Sequence, residues 1–260
     1  MSYETIVTAR DGAGLIVTLN RPRRRNAVSV QMMDEIMSAV RLADSDSSVR
    51  AIIITGGDEY FSAGADLNDA ITVKSAAQGL EYFQRWHRMT TALEALSKPV
   101  IAAIEGFCVT GGCELALACD IRVAGVGASF VITSSRIGTV AGAGGTQRLP
   151  RIVGIAKALE MMFSAEPINA AEARRIGLIN RLVPAGKALD EAKAMIAVYE
   201  KRGPLSLAFI KRAVYRGMQM DLASALDFET LLVTTIYGTD DKQEGISAFL
   251  QKREPNFKGS

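Results

Sequence analysis

The chain has 260 residues, 48% of them hydrophobic, with 30 basic against 28 acidic side chains and a formal charge of +2. That is enough apolar material for one large core, and too balanced a charge to recruit nucleic acid or an anionic membrane through a global field. Cys108, Cys113 and Cys119 match neither a disulfide framework nor a zinc ligand set, and a single histidine, His87, excludes histidine triads and multi-histidine metal sites, so no metal is expected.

In chain order, "ETIVTARDGAGLIVTLNRP" predicts a hairpin turning at Asp11 to Gly14 and ending at Pro22. Ser29 is placed to cap an amphipathic helix, "VQMMDEIMSAVRLA". "VRAIIITGG" reads as a buried strand, followed by the glycine-punctuated loop "GGDEYFSAGADLND" and a long helix to about Ser97. The pattern then repeats with the strand "KPVIAAIEG", the loop "FCVTGG" and the helix "CELALA". "DIRVAGVGASFV" supplies two short strands around a turn, and "GTVAGAGGTQRLPRIVG" is a third glycine-rich loop opening onto the helix "IAKALEMMFS".

Strands alternating with helices predict an α/β core with parallel strands. The glycines match neither the dinucleotide fingerprint nor a phosphate-binding P-loop. From Ala188 to Leu250 only helices are predicted, which divides the chain into a core over 1–187 and a helical region over 188–260. No run reaches the roughly 18 apolar residues of a membrane span, and the start lacks a leader pattern. A soluble cytoplasmic protein with buried, reduced thiols is expected.

Gly111 and Gly112 open a helix whose first amides lack intrahelical partners and sit at its positive end. "FSAGADL" offers a similar arrangement at Ala63 to Ala65 after another parallel strand, and ligands gather at the carboxyl ends of such strands. Two converging amides would make an oxyanion hole, and Glu114, one turn on, could move a proton beside the polarised carbonyl. Loop glycines also serve plain turns and a first-turn glutamate also complements a helix dipole, so spacing alone leaves both readings open.

At these residues the sequence resembles the enoyl-CoA hydratase/isomerase, or crotonase, family over essentially its whole length. The resemblance is carried together by "LNRPRRRNAVS", "FSAGADL", "GGCELALACD", "GTVAGAGGTQRLPRIVG" and "FLQKREPNFKG". It implies an α/β crotonase-like spiral of ββα turns with a C-terminal helical trimerisation region, assembled as a homotrimer or a dimer of trimers. It implies an acyl-CoA thioester substrate, with coenzyme A part of that substrate and no separate cofactor. The amides of Ala65 and Gly111 would hold the carbonyl. Arg23, Ala63, Ala65, Asp66, Leu67 and a neighbouring subunit's Lys252 would hold the coenzyme A portion. Asn68 stands where many relatives carry a lysine.

Glu114 falls on the family's first catalytic glutamate, whereas the position of the second is Ser134 in "TSSRIGTVAG". A serine can hold a water but is a poor base near neutral pH. Ser135, Arg136, Asp69 and Tyr60 are the other groups considered as replacements, each with a surface or packing role as the simpler alternative. The leading expectation is hydration or a double-bond shift of an enoyl-CoA through a thioester enolate. A decarboxylase or hydrolase of the same fold, and a non-catalytic acyl-CoA binding protein, are the alternatives.

Overall fold

The computed structural model describes residues 3–260. It opens with the expected hairpin, β1 (Ile6–Asp11) against β2 (Gly14–Leu19), turned at Gly12, whose φ of 53° suits a residue without Cβ. The helix α1 (Val30–Ser45) starts at Ser29, whose hydroxyl accepts from the Met32 amide at 3.2 Å. After β3 (Ala51–Thr55), the expected long helix divides into α2 (Leu67–Ala70) and α3 (Ala76–Ala95), because Ser75 caps a new start by accepting from the Gln78 amide. Next come β4 (Val100–Ile104), β5 (Phe107–Val109), α4 (Gly111–Leu117), β6 (Ile121–Gly125) and β7 (Ser129–Val131).

The third glycine-rich segment is not all loop. Gly144, at φ 110°, turns the chain into α5 (Gly145–Val153), and α6 (Ile155–Ser164) follows after Gly154. The chain continues through β8 (Ile168–Asn169), α7 (Ala170–Arg175), β9 (Arg181–Val183), α8 (Ala188–Tyr199), α9 (Pro204–Gly217), α10 (Leu222–Tyr237) and α11 (Asp240–Leu250).

One sheet runs β1-β2-β3-β4-β6-β9, parallel except for the β1/β2 hairpin, and a second runs β5-β7-β8. Successive turns of chain have one logic: β4 enters the large sheet, β5 the small one, then α4 follows; β6 enters the large sheet, β7 the small one, then α5 follows after a short 3-10 helix. The preceding turn does the same in reduced form, since Ser62 bridges Cys108 of β5 after β3. The two strands expected around the 120–131 turn therefore serve different sheets. This is the expected spiral of ββα turns, and it stacks the loops after β3 and β5 side by side.

Alternation along the buried strands sends side chains to both faces of the large sheet. Ile52, Ile54, Ala102 and Ile104 face α1 and α3 through Met33, Ile36, Trp86 and Met89. Ile53, Ile101, Ala103 and Val123 face Ala188, Ala192, Met195 and Ile196 of α8. The expected boundary at 187/188 therefore moves: α8 completes the core by covering a face that would otherwise be bare, and the helical region begins at α9.

That region is anchored by one buried polar cluster. Lys211 of α9 reaches Asp120 Oδ2 at 2.9 Å and donates to the Leu93 and Lys98 carbonyls, while Tyr215 donates to Asp120 Oδ1 at 2.9 Å. Much of the apolar surface beyond it is open: Val214, Met218, Leu222 and Leu231 are each more than half exposed.

Candidate active site

The first loop is hung on the arginine-rich segment before α1. Asn26 is buried, and its amide donates to the carbonyls of Gly56 and Phe61 while its oxygen accepts from the Arg21 amide. Ser62 donates to the Asn26 carbonyl at 2.7 Å, and the Ala63 amide donates to the Arg25 carbonyl. Val28 then makes a parallel bridge with Ala65, donating to the Gly64 carbonyl at 2.7 Å and accepting from the Asp66 amide at 2.9 Å. In such a bridge the central residue's own amide faces the opposite side. The Ala65 N–H therefore points away from Val28 and finds no acceptor among the described residues.

The second loop meets it there. A Cβ on Gly111 would lie 2.9 Å from the Ala65 nitrogen and 2.8 Å from the Trp86 ring, and one on Gly64 would lie 3.3 Å from the Gly111 nitrogen. Only glycine allows so close an approach, and Gly64 also needs its φ of 96°. The Gly111 amide, like that of Ala65, has no acceptor among the described residues. Its direction is set by Thr110, a non-glycine at φ 39°. Such strain persists only where neighbours enforce it. The Thr110 hydroxyl lies 2.8 Å from that of Thr133 and accepts from the Thr133 amide at 2.9 Å, while the Thr110 amide donates to the Val131 carbonyl. The expected pairing of the Ala65 and Gly111 loops is thus present, and two threonines that sequence reasoning passed over hold it.

Glu114 lies one turn into α4 and is 2% exposed. Its Oε1 accepts from the amides of Ala143 and Gly145 at 2.7 and 2.8 Å, and its Oε2 accepts nothing among the described residues. Burial pushes the carboxyl up to about 7; the two amides and the Arg148 guanidinium pull the other way. Arg148 is locked in turn, donating to both oxygens of Glu94 and, at 3.3 Å, to the Ala143 carbonyl. A carboxyl that changes charge near pH 7, with one oxygen fixed and one free, suits a general acid/base.

Ser134 is buried one residue after Thr133 and so stands beside the Thr110 turn, but its hydroxyl makes no hydrogen bond among the described residues. Of the other groups considered as replacements, Ser135 donates to the Met162 carbonyl, Arg136 pairs with Glu166, Asp69 accepts from the Val30 amide and Tyr60 donates to the Pro22 carbonyl. Each is held by another part of the chain.

The expected ligand-holding residues divide. Asp66 is buried: burial works to raise its carboxyl, but the Asn68 amide and side chain and the Arg21 guanidinium, 2.7 Å away, outweigh it and hold it below its usual value. Its carboxylate is thus occupied in capping α2. Arg23 is exposed on a 3-10 turn bound to this loop, Ala63 is partly buried and Leu67 is 62% exposed. Lys252 is exposed after α11, and no hydrogen bond or ion pair among the described residues links it to the loop. The three cysteines are buried free thiols, with Cys108 pushed up by burial and Cys119 raised to about 12. His87 is exposed. Among the described residues no metal-binding cluster is present and no helix is long and apolar enough to cross a membrane.

Residues 10–260 match the family model described as enoyl-CoA hydratase/isomerase. The chain is 39% identical over 258 residues to a crotonyl-CoA hydratase of Syntrophomonas wolfei, covering 99% of each. It is 39% identical over 256 residues to a 2,3-dehydroadipyl-CoA hydratase of Escherichia coli, covering 98% of each. Its fold superposes on the crystal structure of an enoyl-CoA hydratase from Bacillus anthracis with a TM-score of 0.94 at 33% identity, covering 99% of this chain and 100% of that one. Sequence and fold agree along the whole length, and the chain belongs to the enoyl-CoA hydratase/isomerase family of enzymes.

Proposed function

We propose that the substrate is a 2-enoyl-CoA, that the amides of Ala65 and Gly111 hold its thioester oxygen, and that Glu114 carries the proton in its hydration. Glu114 takes a proton from water as the water oxygen bonds to the third carbon. The displaced electron pair moves through the second carbon onto the thioester oxygen, where the two amides receive it. As the carbonyl re-forms, Glu114 returns the proton to the second carbon, so both hydrogens of one water are added and no cofactor enters. The observation that carries this reading is the single buried carboxyl with a pKa of about 7, beside two amides left without acceptors among the described residues. Donors of this kind are each worth roughly 3 to 4 kcal/mol to an oxyanion.

Ser134 supports a second reading. A shift of the double bond from the third to the second carbon needs one base that removes a proton from the second carbon and returns it to the fourth, and Glu114 alone suffices. Incubating 2-enoyl-, 3-enoyl- and malonyl-type CoA esters in deuterated water, with product masses and label positions read out, separates the readings. One deuterium on the second carbon of a 3-hydroxy product supports hydration, and label at the fourth carbon supports the shift. Loss of carbon dioxide or of free coenzyme A would replace both, and binding with no reaction would leave only an acyl-CoA carrier.

We infer further that the exposed apolar face of α9 to α11 is covered by other copies of this chain, whose Lys252 would approach the coenzyme A end. Light scattering should then give a multiple of three of the 27.8 kDa chain mass; a monomer at micromolar concentration would reject this. The buried free thiols suit a reducing compartment such as the cytoplasm.

A further inference from the structure

Tyr82 is 8% exposed, and its hydroxyl is the one side-chain polar atom among the described residues that is both wholly closed to solvent and without a hydrogen-bond partner. The Trp86 indole leans toward it without reaching hydrogen-bonding geometry. A hydroxyl buried in this way has given up hydration for nothing in return, so an orphan in a native fold calls for a specific explanation.

Its position supplies one. Tyr82 lies one turn before Trp86 and on the same face of α3. The Trp86 ring is the surface that a Cβ on Gly111 would strike, and the ring of Phe83, set edge-on to Tyr82, is what one on Gly142 would strike. The charges that bear on the hydroxyl are those of Asp69 and Asp66, on the first loop, and of Glu114. It therefore lies on the helix face that meets the Gly111 loop, within electrostatic reach of Asp66, Asp69 and Glu114.

We propose that Tyr82 is a substrate-contacting residue whose hydroxyl donates a hydrogen bond to an oxygen of the bound acyl-CoA, either the thioester carbonyl or an oxygen on the third carbon. This rests on the acyl-CoA reading of the site. Burial raises the phenol above its ordinary value, reinforced by the three carboxylates, so it remains an O–H donor throughout the range in which Glu114 titrates and carries no proton itself. The acyl group reaches it by displacing the side chains that close it to solvent.

Tyr82→Phe removes only the oxygen. Calorimetric titration of the intact protein with butyryl-CoA, 3-hydroxybutyryl-CoA and coenzyme A tests the contact. Loss of one hydrogen bond weakens binding roughly 3- to 10-fold. A loss confined to 3-hydroxybutyryl-CoA assigns the third-carbon oxygen, and an equal loss for both esters assigns the thioester carbonyl; coenzyme A should be unaffected in either case. Because the hydroxyl has no partner to lose, the variant should melt no lower than the parent protein. Unchanged affinity for both esters, or a lowered melting temperature, overturns the proposal. If the parent protein binds neither ester, the acyl-CoA reading falls and takes the proposal with it; if it binds both and Tyr82→Phe changes nothing, only the proposal falls.

Discussion

Glu114 and Ser134 occupy the two places where the family resemblance implies a carboxyl, and they are built very differently. Glu114 is fixed by the Ala143 and Gly145 amides, backed by the Arg148–Glu94 pair, and raised by burial into the neutral range. Ser134 is buried beside the Thr110–Thr133 clasp with no hydrogen bond to its hydroxyl among the described residues. A group used for proton transfer needs its position and its pKa set together, and only one of the two places provides both. Of the two places, only that of Glu114, one turn into α4 from Gly111, has a carboxyl set for proton transfer.

The strongest way to break that asymmetry is Glu114→Gln, which keeps an acceptor for both amides and removes the proton. Turnover should fall roughly 100- to 10,000-fold with binding of a saturated acyl-CoA preserved; unchanged turnover would remove Glu114 from the mechanism. In the parent protein kcat/KM should rise with pH through about 7, because the base must be ionised in the free enzyme. The stability trend has the opposite sign. Glu114 ionises near 4.5 when unfolded and near 7 when folded, so the unfolded state loses its proton first and stability falls as pH rises between those values. The total is about 3 kcal/mol, with no further loss above pH 7. The Gln variant should lack this fall and be more stable than its parent at pH 8 by denaturant titration.

Next in size is Gly111→Ala. The added methyl would stand 2.8 Å from the Trp86 ring and 2.9 Å from the Ala65 nitrogen, and so forces the two amides apart. A kcat loss of roughly 100-fold or more is expected, with acyl-CoA still bound. A small effect would mean that the two loops do not share one oxygen.

The amide side of the site was legible because its needs are local. Gly64, Gly111 and Glu114 stand out where a glycine or a carboxyl interrupts apolar chain, and the strand–loop–helix order places them together. Its supports were not legible, because they join residues far apart with no periodic signal. Arg148 and Glu94 are 54 residues apart, Thr110 and Thr133 are 23 apart, and Tyr82 reads as one more apolar-face residue of a long helix. "RPRRRN" reads as a basic cluster, yet Arg21 and Asn26 turn inward to hold the first loop while Arg23 to Arg25 face solvent. The strands β8 and β9, of two and three residues, are too short to show alternation, and α8 could be assigned to the sheet only once its bare face was visible.

The Arg148–Glu94 pair gives a finer test of how Glu114 is tuned. In Arg148→Gln the positive charge that lowers the Glu114 pKa is gone and the hold on the Ala143 carbonyl is weakened. The rising limb of kcat/KM should move to higher pH, with activity at pH 7 reduced up to about tenfold, one pH unit being a factor of ten. Activity on the high-pH plateau should be recovered. A uniform loss at every pH would instead make Arg148 a structural support with no hold on the proton.

The smallest effect is expected from Ser134→Ala, and it bears most directly on the asymmetry. A hydroxyl with no protein partner has little to lose, so kcat/KM should change less than about twofold, within the roughly 0.5 kcal/mol typical of a side chain away from any special contact. Melting temperature should be preserved, since Thr110 and Thr133 hold the turn without Ser134. The informative alternative is a loss of 100-fold or more in hydration with the double-bond shift untouched. That result would show Ser134 holding the attacking water, and the site would then have two working sides, one charged and one neutral, in place of a single carboxyl.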